Sequence, residues 1–213
     1  MVLYSYYNSS TSYRVRIALA LKGLSHELRT VNLRAWEQYR EAHRAYSPIG
    51  GVPVLIDDRG ARITQSLAIL EYLDAIAPQP RLFPLDPLAR AQVQELCLLV
   101  ACDVHPLNNL RALKFLTEEL AVSAADKQRW YAHWIAEGFA AMEVLLGRGA
   151  PQPYCCGETP SAADCCLVPQ VANGLRMGCD LAAYARVMQI YRNCLQLEAF
   201  KAAAPERQPD FRS

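Results

Sequence analysis

The spacing of apolar residues changes character once along this chain. Up to about residue 80 it switches between short strand-like runs and helical stretches. Residues 2–6 (VLYSY) and 26–33 (HELRTVNL) read as strands. Residues 12–23 (SYRVRIALALKG) read as a helix, capped by Thr11 or Ser12 and stopped by Gly23. Residues 36–46 (WEQYREAHRAY) predict a short charged helix ended by SPIGG. Residues 52–64 (VPVLIDDRGARIT) predict a hairpin turning at Asp57-Asp58-Arg59-Gly60. A further amphipathic helix, 66–77, is stopped by the proline-rich segment 78–87 (PQPRLFPLDP), which marks a domain boundary. The order β-α-β-α-β-β-α predicts a small α+β domain over residues 1–80.

After Pro87 the period is helical throughout, predicting an all-helical domain over residues 88–213. Residues 88–116 read as one long helix or a pair bent at Pro106, and 125–149 as the next helix, ended by Gly147 and Gly149. Residues 161–178 place Ser161 and Asp164 as N-cap and acidic third residue, with Pro169 suggesting a kink. One or two closing helices follow over 184–205, and the tail 206–213 reads as frayed.

Composition narrows the function classes. At 213 residues the chain is long enough to bury a real core, and 52% hydrophobic residues, 20% charged residues and a net charge of +1 favour neither nucleic acid, anionic membrane nor disorder. The opening MVLYSYY has no basic region, long apolar run or cleavage site. It therefore reads as no signal peptide and no membrane span, and the expected compartment is the cytoplasm. All eight cysteines lie at or beyond Cys97. The adjacent pairs Cys155–Cys156 and Cys165–Cys166 make a poor metal site, because neighbouring residues rarely aim at one ion and no histidine follows at ligand spacing. No metal is expected; burial as small apolar side chains is the plainer account.

The chemistry concentrates at Ser9, Ser10 and Thr11, three hydroxyls between the first strand and the first helix. A helix N-terminus stabilises an anion, and a cysteine there becomes a thiolate. No cysteine occupies this turn, so any sulfur must arrive on a ligand, to which the hydroxyls can donate. Lowering a thiol from about 8.5–9 to near 6.5 takes roughly 3 kcal/mol. A helix terminus supplies at most ~2 and a hydrogen bond to a charged group ~1.5–3, so together they suffice. The same hydroxyls also serve simply as helix caps.

The run SSTSYRVRIALALKG resembles the zeta-class glutathione transferase signature, usually S-S-C-x-x-R-V-R-I-A-L, with Thr11 where many members carry cysteine. GGVPVL, TQSLAILEYL, PLNNLRALK, ADCCLVPQVANGLR and EAFKAAAPERQPD extend the resemblance over nearly the whole chain. It implies an α+β thioredoxin-like N-terminal domain followed by an all-α C-terminal domain, a homodimer, and glutathione as cofactor. Members of the class are glutathione-dependent cis–trans isomerases of maleylacetoacetate, or of maleylpyruvate, small cis-keto acids. Adding the thiolate to the alkene frees rotation, and expelling it restores a trans bond.

The resemblance also assigns roles. Ser9 becomes the main thiolate donor, supported by Ser10 and Thr11, while a cis Val52–Pro53 bond exposes the Val52 backbone to the peptide. Gln65 and Ser66 take the γ-glutamyl end, Asn108 reaches glutathione across a dimer interface with His105 nearby, and Arg176 holds a substrate carboxylate, with Arg111 as a second candidate. Read locally, Pro53 opens a strand, Ser66 caps a helix, His105 packs or is solvated, and Arg176 complements a helix dipole. His105, Asn108 and Arg111 are three apart and share one helical face. Of Arg14 and Arg16, at least one is structural, since Val15, Ile17 and Ala18 must face the sheet.

Two positions depart from the pattern. Asn8 replaces an arginine, removing a charge near the substrate, and Ile49-Gly50-Gly51 loosens a contact to one end of glutathione. A general transferase that conjugates or dehalogenates electrophiles, and a non-catalytic glutathione-binding protein, are the alternatives. A disulfide reductase is disfavoured, because SSTS stands where a C-x-x-C would.

Overall fold

In the computed structural model, which describes residues 1–212, the chain divides into two units. The first holds a four-stranded sheet of order β2-β1-β3-β4, made of β1 (Val2–Ser5), β2 (Glu27–Thr30), β3 (Val54–Ile56) and β4 (Arg62–Thr64). β1 and β2 are parallel; β1–β3 and β3–β4 are antiparallel. Leu3 pairs with Leu28 on one side and Leu55 on the other, and Leu3 and Leu55 are fully buried. A parallel pair needs a crossover, here helix α1 (Ser10–Leu21). The hairpin forms as expected, with Asp57 Oδ1 accepting the Arg59 and Ala61 amides in its turn.

α1 starts earlier than the sequence pattern predicts. Ser9, not Thr11 or Ser12, is its cap: Ser9 has an extended backbone and its Oγ accepts the Ser12 N–H at 3.2 Å. Any of these hydroxyls is a competent cap, and tertiary contacts of Thr11 select the first. At the other end Gly23, at φ 63, stops the helix, with the Gly23 and Leu24 amides returning to the Ala20 and Leu19 carbonyls.

The charged helix expected over 36–46 does not form as such. Two 3₁₀ turns, Leu33–Ala35 and Glu37–Tyr39, precede a single helical turn, α2 (Glu41–Arg44). The Asn32 side chain captures the Arg34 and Ala35 amides while Glu37 captures the Asn32 amide. Such local bonds compete with a continuous helix.

α3 (Ser66–Ile76) packs on α1, and so does α10 (Glu198–Ala203), which makes a correction to the expected domain limits. The first unit is Met1–Phe83 together with the described chain from Leu195 on; the second is Pro84–Cys194. The first stretch of unit one therefore ends inside the proline-rich segment, and the helical unit does not run to the C-terminus. Arg16 explains why. This buried guanidinium donates to the Ala203 carbonyl at 2.9 Å, to Ser5 Oγ, and to the Tyr6 and Tyr7 carbonyls. Tyr13 adds a bond to the Phe200 carbonyl. Nor is the tail frayed over residues 206–211: Asp210 accepts the Tyr7 amide at 3.0 Å and the Phe211 ring sits edge-on to Tyr7, while Ser213 lies outside the described residues.

The second unit contains α4 (Pro87–Leu98), a π-helical turn (Leu99–Val104), α5 (His105–Asn108), α6 (Leu110–Glu118), α7 (Ala124–Leu146), α8 (Ala162–Arg176) and α9 (Ala185–Cys194). The long stretch 88–116 is interrupted, but not by Pro106, which sits in the first turn of α5 where its missing N–H is harmless. The break falls at Asn109, whose extended backbone and Oδ1, accepting the Ala112 amide at 2.9 Å, start α6. Gly138 lets α7 lie close to Val104, since a Cβ there would overlap the Val104 side chain.

At the start of α8 the expected capping box forms. Asp164, fully buried, accepts the Ser161 amide at 2.8 Å, Ser161 Oγ at 2.9 Å and the Cys155 amide at 2.9 Å. Burial raises its carboxyl above the usual 3.8. All eight cysteines are free thiols; Cys97, Cys155, Cys165, Cys166 and Cys194 are buried. Desolvation pushes Cys156 up to about 12 and Cys155 well above its usual range, as inert core thiols require. Among the described residues no group of three or more His, Cys, Asp or Glu is placed to hold a metal ion, and no helix is long and apolar enough to cross a membrane.

Candidate functional site

In the first unit the hydroxyl turn is wired to the loop before β3. Ser9 Oγ lies 2.9 Å from Thr11 Oγ1, and Thr11 Oγ1 donates to the Val52 carbonyl at 2.9 Å. Thr11 has one hydroxyl proton, so Ser9 is the donor within the Ser9–Thr11 pair. The result is a directed chain from Ser9 through Thr11 to Val52. Ser10 is buried beside it, while Ser9 and Thr11 are half-buried and open to an incoming group.

The Val52–Pro53 bond is cis, as the resemblance implies. Its loop is tied down at Gly50 and Gly51. Gly50, at φ 67, lies against the Tyr39 ring where any Cβ would clash. The Gly51 amide donates to Ser47 Oγ at 3.1 Å, and His43 Nε2 donates to the Gly51 carbonyl at 2.9 Å. The Val52 amide has no hydrogen-bond partner among the described residues, so an extended peptide has a donor to pair with.

Gln65 and Ser66 stand at the start of α3. Gln65, at φ 69, is the cap residue and makes no side-chain cap bond; Ser66 is the first helical residue rather than the cap. No acidic residue lies in the first turn, leaving its amides and partial positive charge uncompensated. Ser66 Oγ accepts from Arg14 Nη1 at 3.1 Å, which fastens this turn to α1. Ser9, Thr11 and Val52 are thus joined directly, and Ser66 is joined to the same helix through Arg14.

The other candidates lie in the second unit. His105 opens α5 and Asn108 closes it; Asn108 is buried, its Nδ2 donating to the Tyr131 carbonyl at 3.0 Å and its Oδ1 left without a partner. The break at Asn109 places Arg111 on α6, so His105, Asn108 and Arg111 do not share one helical face. Arg111 is exposed in the first turn of α6. Arg176 is exposed in the last turn of α8, its Nη2 donating to Asn173 Oδ1 at 2.8 Å. Burial pushes the Tyr131 phenol up to about 12, and the nearby Arg176 cation offsets part of that. Asn108 and Arg176 therefore have Tyr131 as a common neighbour. Sequence reasoning missed both the Thr11–Val52 bond and the Arg14–Ser66 bond, which span 41 and 52 residues. The only local signal was the density of hydroxyls and arginines in SSTSYRVR.

Comparison with known proteins adds an independent line. The family model for the glutathione S-transferase N-terminal domain matches residues 1–75, and that for the glutathione S-transferase C-terminal domain matches residues 128–173. The chain is 46% identical over 212 residues to a probable maleylacetoacetate isomerase of Vibrio cholerae, covering 99% of this chain and 98% of that one. It superimposes on the crystal structure of maleylpyruvate isomerase from Pseudomonas aeruginosa PAO1 with a TM-score of 0.87, 54% identity and full coverage of both chains. The maleylacetoacetate isomerase structure from Methylobacterium extorquens AM1, with bound malonate and glutathione, gives a TM-score of 0.96 at 36% identity, again over 100% of each chain.

Proposed function

Since this chain belongs to the zeta class of glutathione transferases, the family of the maleylacetoacetate and maleylpyruvate isomerases, we propose that it catalyses glutathione-dependent cis–trans isomerisation of one of these keto acids. The observation that carries the reading is the Ser9–Thr11–Val52 hydrogen-bond chain at the N-terminus of α1, in a turn with no thiol of its own. The open Val52 amide and the uncapped first turn of α3 fit a tripeptide with an extended backbone and an anionic end.

Glutathione, when bound, supplies a thiolate that adds reversibly to the cis alkene and so frees rotation about it. Ser9 turns its proton from Thr11 to the sulfur, while the Ser12 amide continues to donate into Ser9 Oγ and keeps that hydroxyl in place. Ser10 and the α1 terminus add positive potential. Val52 pairs with the peptide backbone, and Gln65 and Ser66 take its γ-glutamyl end. Arg176 holds the substrate carboxylate, with Arg111 assisting; Asn108 and His105 contribute from α5, Asn108 to glutathione across a homodimer interface. The chain works as a homodimer in the cytoplasm.

An absorbance assay with each cis-keto acid, with and without glutathione, tests the activity. Isomerisation that requires glutathione and leaves its concentration unchanged is expected. Steady consumption of glutathione would instead assign a conjugating transferase, and binding without turnover a retired site. Thr11→Val, which removes one hydrogen bond to the Val52 loop, is expected to raise the KM for glutathione by about fivefold, and Thr11→Ser to restore it. Initial rates across a glutathione series measure both.

A further inference from the structure

The segment that carries Ser9 is held from residue 210. Residues Tyr6 to Ser9 link β1 to α1 as a tight turn, closed by the Ser9 amide donating to the Tyr6 carbonyl at 3.0 Å. Tyr6 and Tyr7 are both buried, so their other backbone groups need partners from elsewhere in the fold. Arg16 takes the Tyr6 and Tyr7 carbonyls at 3.2 and 3.1 Å. The Tyr7 amide goes to Asp210 Oδ2 at 3.0 Å, 203 positions along the chain.

Asp210 is itself set in a built turn. The 3₁₀ turn Pro205–Arg207 follows α10, and the Gln208 side chain donates back to the Ala202 and Ala204 carbonyls at 3.0 and 2.9 Å. The Phe211 amide then closes on the Gln208 carbonyl at 3.0 Å, with Pro209 at the second position, where its fixed φ suits a turn. This delivers the Asp210 carboxylate to the Tyr7 amide, and the Phe211 ring to the Tyr7 ring at 5.5 Å between centroids. Burial draws the Arg16 guanidinium down to about 10, and Asp210 is among the groups that oppose this. One carboxylate thus acts both on the Tyr7 amide and on the cation that holds the carbonyls before and after it.

We propose that Asp210 is a positioning residue for the thiolate site: by fixing the Tyr7 amide it sets where the turn presents the Ser9 hydroxyl to an incoming sulfur. This rests on the glutathione reading above. Ser9 stands two residues beyond Tyr7 and its amide hangs from the Tyr6 carbonyl, so a shift of the turn moves Ser9 with it. A hydrogen bond weakens steeply with misalignment, and a catalytic constellation tolerates only fractions of an ångström. Asp210 acts through the backbone of Tyr7, without touching glutathione or substrate.

Turnover of the cis-keto acid, and ultraviolet titration of the glutathione thiolate in the complex, test this on the full chain. Asp210→Ala is expected to raise the bound thiol by about half to one pH unit, roughly half of what loss of the whole bond costs. From a starting value of about 6.5, turnover at pH 6 then falls about 3- to 8-fold. The KM for glutathione moves less than about 1.5-fold, because at that pH most of the bound thiol is protonated in either chain. The gap closes as the pH becomes alkaline. Asp210→Asn keeps an acceptor for the amide and drops the charge, and is expected to stay within about twofold of wild type. In a Ser9→Ala background, Asp210→Ala is expected to move the thiol by less than about 0.2 pH unit, since the hydroxyl through which Asp210 acts is gone. An unshifted thiol in Asp210→Ala, the same shift in Asp210→Asn, or an undiminished shift in the Ser9→Ala background overturns the role of Asp210 and leaves the glutathione reading standing. Should Asp210→Ala fail to fold, Asp210→Ser, too short to reach the amide, carries the same expectation and the same refutation. A wild-type chain that binds glutathione without lowering its thiol, or turns over neither keto acid, overturns the glutathione reading and this proposal with it.

Discussion

Ser9→Ala is expected to lower isomerase turnover at pH 7 by about 3- to 25-fold, while glutathione affinity changes by less than about fivefold. The reasoning starts from the hydroxyl itself. In the free protein its proton is directed to Thr11, and its oxygen is held by the Ser12 amide at 3.2 Å. Losing a hydrogen bond of roughly 1.5–3 kcal/mol to a thiolate raises that thiol by about one to two pH units. At neutral pH most of the bound thiol then carries its proton. The deficit accordingly narrows as pH rises toward 9, which a pH profile of turnover reads directly. Ser9 is also the cap of α1, so the same substitution loosens the helix by about 1 kcal/mol. Ser9→Gly separates the two roles, because glycine caps almost as well and costs only a few tenths of a kcal/mol. Turnover near the wild-type value in Ser9→Gly would make Ser9 a cap and nothing more.

The largest loss of stability is expected far from this turn, at Asp164→Ala. That carboxylate gathers the Ser161 amide, the Ser161 hydroxyl and the Cys155 amide in a fully buried setting. Removing it orphans these three donors and the Cys194 thiol, which donates to Oδ1 at 3.7 Å, a destabilisation on the order of 3–5 kcal/mol, readable as a lower urea midpoint. The pH dependence carries a definite sign. Burial raises the Asp164 carboxyl above its unfolded value of 3.8, so the native chain binds a proton there more readily than the unfolded chain. The stability from this proton uptake is complete below the unfolded pKa and fades as pH rises through the raised, folded one. Asp164→Asn removes that dependence, and the difference between the two urea midpoints across pH 4 to 7 measures it. A pH-independent difference would exclude titration of Asp164 in that range.

Much of the architecture was legible in the residue pattern because the relevant forces are local. The hairpin at Asp57–Gly60 depends on one aspartate bonding amides two and four residues on. The Ser161–Asp164 box spans three residues, and Gly23 stops α1 with its own backbone. Readings failed where several local solutions were equally good. Thr11, Ser12 and Ser9 are all fit to cap α1, and the choice fell to Ser9 with Thr11 engaged by Val52, 41 residues away. The run from His105 to Arg111 looked continuous by spacing, but Asn109 found a better use as a cap.

The sequence by itself determined the two kinds of unit, the proline-rich boundary between them, the hydroxyl turn without a thiol, and the family. These follow from periodicity, turn chemistry and motif, which act over a few residues. Only the tertiary structure decided which hydroxyl caps and which is bound to Val52, that Arg16 is satisfied while Arg14 is not, and that residues beyond Cys194 return to cover α1. Those outcomes depend on acceptors contributed by distant segments, and a buried polar group finds such partners only once the chain has folded.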